Sequence, residues 1–127
     1  MSFAHLTLPV KDVQLTSRFY QEVMGWPQLS MPQNIDIEAD WLKINDSQQL
    51  HLLGIENAPE SKDKEFGRHY AFFHPVDDFD SLSERVRQNG GEIVKPIRET
   101  PFRRLFFRDP NGYVFELISQ EDYCTEN

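Results

Sequence analysis

The sequence predicts an α+β fold built from two copies of a βαβββ module, and three observations predict it. Short apolar runs alternate with period two around four polar residues, His5, His51, His69 and Glu116, as half-buried strands do. Two further stretches carry apolar residues at helical spacing and are each closed by glycine. The halves also share an offset: His5 and His69 are 64 residues apart, and His51 and Glu116 are 65 apart.

The first strand covers about residues 3–10, with Ala4, Leu6, Leu8 and Val10 on one face and Phe3, His5 and Thr7 on the other. A helix over about residues 13–23 covers the apolar face: Asp12 suits its N-cap, Val13, Phe19, Tyr20 and Val23 make its stripe, and Gly25 stops it. A short strand is expected near residues 26–30, then a break rich in Pro and Asn. Residues 40–44 and 48–55 form a hairpin through Asn45, Asp46 and Ser47. Leu50 and Leu52 then face the helix, and His51 faces the same way as His5.

Residues 57–67 are charged and without period, which reads as a surface linker. The pattern then repeats. A strand begins at His69, a helix spans about residues 79–88 before Asn89-Gly90-Gly91, and strands fall near 92–97, 103–108 and 113–119. The last two join at Asp109-Pro110-Asn111-Gly112, a strong turn signal. Phe115 and Leu117 point to the helix, so Glu116 points away. Neither module can cover its sheet on both sides, so the helix-free faces must curl toward each other or against a second chain, leaving a curved mixed sheet with a partly closed cleft. The expected organisation is a single domain: module one over about 1–56, the linker, module two over about 68–119, and a polar, frayed tail at 120–127.

With 127 residues the chain can bury a core without staples, and ten Phe, four Tyr and two Trp supply it. A formal net charge of −8 repels phosphate backbones, which argues against nucleic acid and anionic membrane surfaces as partners. One cysteine, Cys124, excludes an intrachain disulfide and fits a reducing compartment. No run approaches the roughly 20 apolar residues of a membrane helix. The N-terminus lacks the pattern of a signal peptide, so a cytoplasmic location is expected.

His5, His51, His69 and Glu116 all face away from the helices at positions the repeat relates. Three imidazoles and a carboxylate suit a divalent metal, and zinc, nickel, iron and manganese all accept such a set. A Glu in the apolar run Val-Phe-Glu-Leu-Ile needs a cation nearby to offset its desolvation. His74 has the opposite parity to His69 and is expected on the surface. In the strand at 103–108, Arg104, Phe106 and Arg108 share a face, and Phe106 corresponds to Trp41 at the offset of 65. Trp41 and Phe106 are candidate walls for an organic substrate, and Arg104 a candidate clamp for its carboxylate or phosphate.

The segments Ala-His-Leu-Thr-Leu-Pro-Val-Lys-Asp, Phe-Tyr-Gln-Glu-Val-Met-Gly-Trp, His-Tyr-Ala-Phe-Phe and Phe-Phe-Arg-Asp-Pro-Asn-Gly-Tyr-Val-Phe-Glu-Leu-Ile resemble the vicinal oxygen chelate superfamily. Its members include glyoxalase I, fosfomycin-modifying thiol transferases, extradiol dioxygenases, methylmalonyl-CoA epimerase and bleomycin-binding resistance proteins. The resemblance implies a cleft completed in a homodimer, with a divalent metal held by His5, His51, His69 and Glu116. It also implies chelation of a small substrate through vicinal oxygens. In glyoxalase I the position of His51 normally carries Glu or Gln; here Glu116 alone is left to serve as ligand and proton acceptor together.

Three functions follow as expectations. The first is a metal-dependent glyoxalase-like lyase or isomerase, or a thiol transferase. The second is an extradiol-type dioxygenase, because His5, His69 and Glu116 form a two-His, one-carboxylate set suited to Fe(II). The third is a metal-free drug-binding protein.

Overall fold

In the computed structural model, which describes residues 2–58 and 64–126, the chain divides into two compact units, Met1–Glu60 and Ser61–Asn127. Each is built on a mixed sheet.

The first unit holds β1 (His5–Val10), α1 (Val13–Met24), β2 (Ala39–Lys43) and β3 (Gln49–Gly54), with sheet order β1-β3-β2. Asp12 caps α1 by accepting the Leu15 N–H at 3.0 Å. Gly25 ends it in the left-handed region at φ 70°, which favours glycine. Val13, Phe19, Tyr20 and Val23 of α1 are buried, as are Leu8, Val10, Leu42, Leu50 and Leu52 of the sheet. The strand expected near residues 26–30 is reduced to a single bridge, Gln28 to Leu42. Pro27 has no N–H to give; its carbonyl and the Leu29 N–H reach β2, and the Gln28 amide is drawn to the buried carboxylate of Asp40 at 2.8 Å.

The second unit holds β4 (Tyr70–Phe73), a 3-10 turn (Val76–Asp78), α2 (Phe79–Gln88), β5 (Glu92–Val94), β6 (Arg104–Arg108), β7 (Val114–Ile118) and α3 (Gln120–Glu126), with sheet order β4-β7-β6-β5. Phe72, Phe115 and Phe107 stack in series with centroids 5.6 and 5.5 Å apart, and Leu82 and Val86 of α2 are buried. The β6–β7 turn is held by Asp109, whose Oδ1 accepts the N–H groups of Asn111 at 2.8 Å and Tyr113 at 3.0 Å.

The repeat is visible in the registers. Thr7 and Trp41 flank His51 in the first sheet, and Ala71 and Phe106 flank Glu116 in the second. Both central strands therefore present their polar residue at the same place in the module.

Three expectations need correction. The polar tail is a helix, α3, because its Asp122 carboxylate grips Arg103 Nε at 2.7 Å and Nη2 at 2.9 Å, and Tyr123 packs against Phe73 and Phe102. The linker is not wholly a surface segment: Ala58 and Glu65 are buried, while its residues 59–63 lie outside those described. His74 is not free on the surface either. Its Nε2 lies 2.8 Å from Asp78, which also holds Arg85, and its ring stacks on Phe79.

Candidate functional site

The first unit assembles a stack of rings. β1, β3 and β2 lie side by side, so His5, His51 and Trp41 project from one face of three adjacent strands. The His5 and His51 centroids are 4.0 Å apart with planes at 14°, and those of His51 and Trp41 are 4.0 Å apart at 4°. Gln49, two residues before His51 on the same face, places Oε1 at 2.8 Å from His51 Nε2. Burial, and after it the neighbouring His5, lowers the His51 pKa to about 4. The ring is thus neutral in neutral water, the form in which imidazole ligates metals. Trp41 Nε1 is buried with no hydrogen-bond partner among the described residues.

The second unit assembles a charged row. Glu116 on β7 is buried, and its Oε1 lies 3.0 Å from His69 Nε2. The other ring nitrogen, Nδ1, faces the Gly67 carbonyl at 3.3 Å. With the hydrogen on Nδ1, as the Gly67 carbonyl favours, Nε2 turns a lone pair toward the carboxylate; with a hydrogen on Nε2, the ring donates to Oε1. Two lone pairs facing each other at that distance repel unless a cation, proton or metal, lies between them.

Glu116 Oε2 accepts from Arg104 Nη1 at 3.3 Å, and Arg104 Nη2 reaches Glu65 Oε1 at 3.0 Å and the Arg98 carbonyl. Glu65 further accepts the N–H groups of Arg98 at 2.8 Å and Ile97 at 3.3 Å. Its burial would raise the carboxyl pKa, but the Arg98 N–H, the Arg104 charge and the Ile97 N–H outweigh burial and hold it below the usual range. Phe106 has no exposed surface; it lies edge-on to His69 at 5.7 Å, with the Arg104 guanidinium 5.0 Å from its centroid.

The four candidate ligands therefore occur as two pairs, His5 with His51 and His69 with Glu116. Among the described residues no group of three or more His, Cys, Asp or Glu is arranged to hold a metal ion. The donor types fit a divalent metal, and so does the second pair's spacing: two ligands bound at about 2.1 Å and at right angles stand about 3 Å apart. The first pair fits in type only, because lone pairs lie in the ring plane and two parallel rings do not aim them at one point. Of the expected substrate residues, Trp41 is half-buried in the ring stack, and Phe106 and Arg104 lie beside Glu116 on the neighbouring strand with their side chains buried.

Sequence reasoning missed Glu65. It lies in a run of acids and lysines where no periodicity marks one acid as inward. The available signal was Arg104, an arginine on the same face as Glu116, which must find enough acceptors once buried.

The profile of the Glyoxalase/Bleomycin resistance protein/Dioxygenase superfamily matches residues 2–117. A lactoylglutathione lyase of Salmonella typhimurium is 27% identical over 128 residues, covering 96% of this chain and 95% of that protein. The glutathione transferase FosA of Serratia marcescens is 29% identical over 124 residues, covering 91% and 79%. Among solved structures, a mutant of the fosfomycin resistance protein FosX from Listeria monocytogenes, complexed with Mn(II) and 1S,2S-dihydroxypropylphosphonic acid, has a TM-score of 0.74. It is 21% identical, covering 98% of this chain and 97% of that one. At that identity the likeness shows the fold alone. No described helix is long and apolar enough to cross a membrane.

Proposed function

The chain belongs to the Glyoxalase/Bleomycin resistance protein/Dioxygenase superfamily, and we propose that within it the chain is a divalent-metal-dependent enzyme acting on a small organic substrate. The reaction is glyoxalase-like lyase or isomerase chemistry, or thiol transfer. The observation that carries this reading is the pairing of His69 Nε2 with Glu116 Oε1 at 3.0 Å, the spacing of neighbouring ligands on one ion. The names lactoylglutathione lyase and glutathione transferase both point to glutathione, and a glutathione-linked substrate is the class we infer here.

His69 and Glu116 would hold the ion, and His5 and His51 are the further candidate ligands. A bound divalent ion supplies Lewis-acid stabilisation of negative charge on a substrate oxygen. Glu116 is the carboxylate that would take the substrate proton. Trp41 is the candidate wall for the substrate's apolar body, and Phe106 and Arg104 flank Glu116. A homodimer completing the cleft belongs to the same proposal, and light scattering measures it.

Elemental analysis of protein purified without an affinity tag is the deciding experiment. About one equivalent of divalent metal per chain, with glutathione-dependent consumption of a 2-oxoaldehyde, supports the proposal. Oxygen uptake with catechols instead would place the chain among the Fe(II) dioxygenases. One observation favours a second reading, a metal-free binding protein: His5 and His51 lie face to face rather than converging. Absence of metal, absence of turnover and saturable binding of an aromatic drug would establish that reading and overturn the first.

A further inference from the structure

Glu65, Arg104 and Glu116 form a buried row of alternating charge, their side chains 4%, 4% and 8% exposed. Each link is held by the next. The backbone N–H groups of Ile97 and Arg98 fix Glu65, Glu65 and the Arg98 carbonyl fix one side of the Arg104 fork, and the other side reaches Glu116 Oε2. The planar guanidinium makes this linkage directional, because its five donors point along fixed lines in one plane.

A glutamate without such a partner turns about its last bond and offers a cation either oxygen, or both. Here Oε2 is committed to Arg104, and Oε1 alone faces His69. The count of charges matters as much as the direction. Arg104 by itself would cancel Glu116 and repel a divalent ion; Glu65 returns the row to a net charge of −1.

We propose that Arg104, braced by Glu65, is a positioning residue that makes Glu116 a one-oxygen ligand for a divalent cation and keeps the row anionic. This deepens the metal reading given above and rests on it. Neither residue touches the ion or substrate; both act through the orientation and charge of Glu116.

The test uses Co(II) alone, titrated into the full chain after metal is stripped with a chelator, and read by visible absorption, which reports both affinity and coordination. Glu65→Gln keeps an oxygen for the loop N–H groups and removes the charge; Arg104→Lys keeps the charge and loses the two-sided grip. Each is expected to weaken Co(II) binding by about tenfold or more, the range of partners that orient metal ligands. Arg104→Lys should also alter the Co(II) spectrum as Glu116 becomes free to bind through both oxygens. Thermal melts identify the folded variants, and either one decides the matter if the other does not fold. Folded variants with wild-type affinity and spectrum would overturn the positioning role while leaving the metal reading intact. A wild-type chain that takes up no Co(II) would overturn both.

Discussion

His69 Nε2 stands 3.0 Å from Glu116 Oε1 while the ring's opposite nitrogen faces the carbonyl of Gly67. That arrangement suits a proton or a metal ion between ring and carboxylate. Replacing the carboxylate by an amide removes the charge that attracts it. Glu116→Gln is expected to lower divalent-metal affinity by at least about a hundredfold, and turnover with it, since even partners of ligands cost tenfold to a hundredfold. Metal content after dialysis and the rate with a 2-oxoaldehyde and glutathione measure the two effects. Unchanged turnover would refute a role for this carboxylate.

Trp41 and His51 overlap with planes 4° apart, and the indole Nε1 is buried. His51→Ala opens that face to water. The expected result is a red shift of tryptophan emission together with a loss of bound metal. Trp26, buried beside Tyr20, serves as the constant background. An emission maximum that stays in place would contradict the ring stack.

Asp122 ties α3 to the start of β6. Hydrogen bonding first from the Arg103 side chain, then from its backbone N–H, holds the Asp122 carboxyl well below its ordinary value of 3.8. A carboxylate depressed in the folded state stabilises it above that ordinary value and ceases to do so as pH falls below it. The protection of α3 amides, relative to their intrinsic exchange at each pH, should therefore fall below about pH 4 in the wild type. In Asp122→Asn that protection should already be low at neutral pH and change little on acidification. Equal protection of α3 in both proteins at pH 7 would remove the pairing from the account of this helix.

Asp109 accepts two N–H groups of the β6–β7 turn, and Gly112 takes the positive φ of 91° that the turn requires. Asp109→Ala leaves both donors without their acceptor, at a cost of about 1–3 kcal/mol. The urea midpoint should drop with an unchanged slope. A midpoint within error of wild type would show that water replaces the carboxylate at no cost.

Where the sequence states its own periodicity, the fold is legible. The stripe of Leu82 and Val86 marks α2, and Asp12 and Gly25 bracket α1. The hairpin and the turn at Asp109 likewise declare themselves through residue types. What could not be read depends on partners distant in the chain. α3 is a short polar segment with no apolar stripe; Arg103, Phe73 and Phe102 make it a helix, and none of them is local to it. Glu65 is one acid in a charged run until Arg104 selects it. At the candidate site, parity put His51 on the face of His5 and Glu116 away from the helix, but parity says nothing of ring orientation. That the first pair stacks while the second meets nitrogen to oxygen follows from rotamers, which period-two reasoning does not reach.

The common register of the two sheets lets inheritance act on each half separately. A position flanked by the same strands holds a neutral imidazole in one half and a carboxylate in the other. Duplication followed by drift at that single column can exchange nitrogen and oxygen donors without disturbing a strand pairing. Were the proposed ion bound there, a few substitutions at matched places could change which ion is preferred while the scaffold stays as it was.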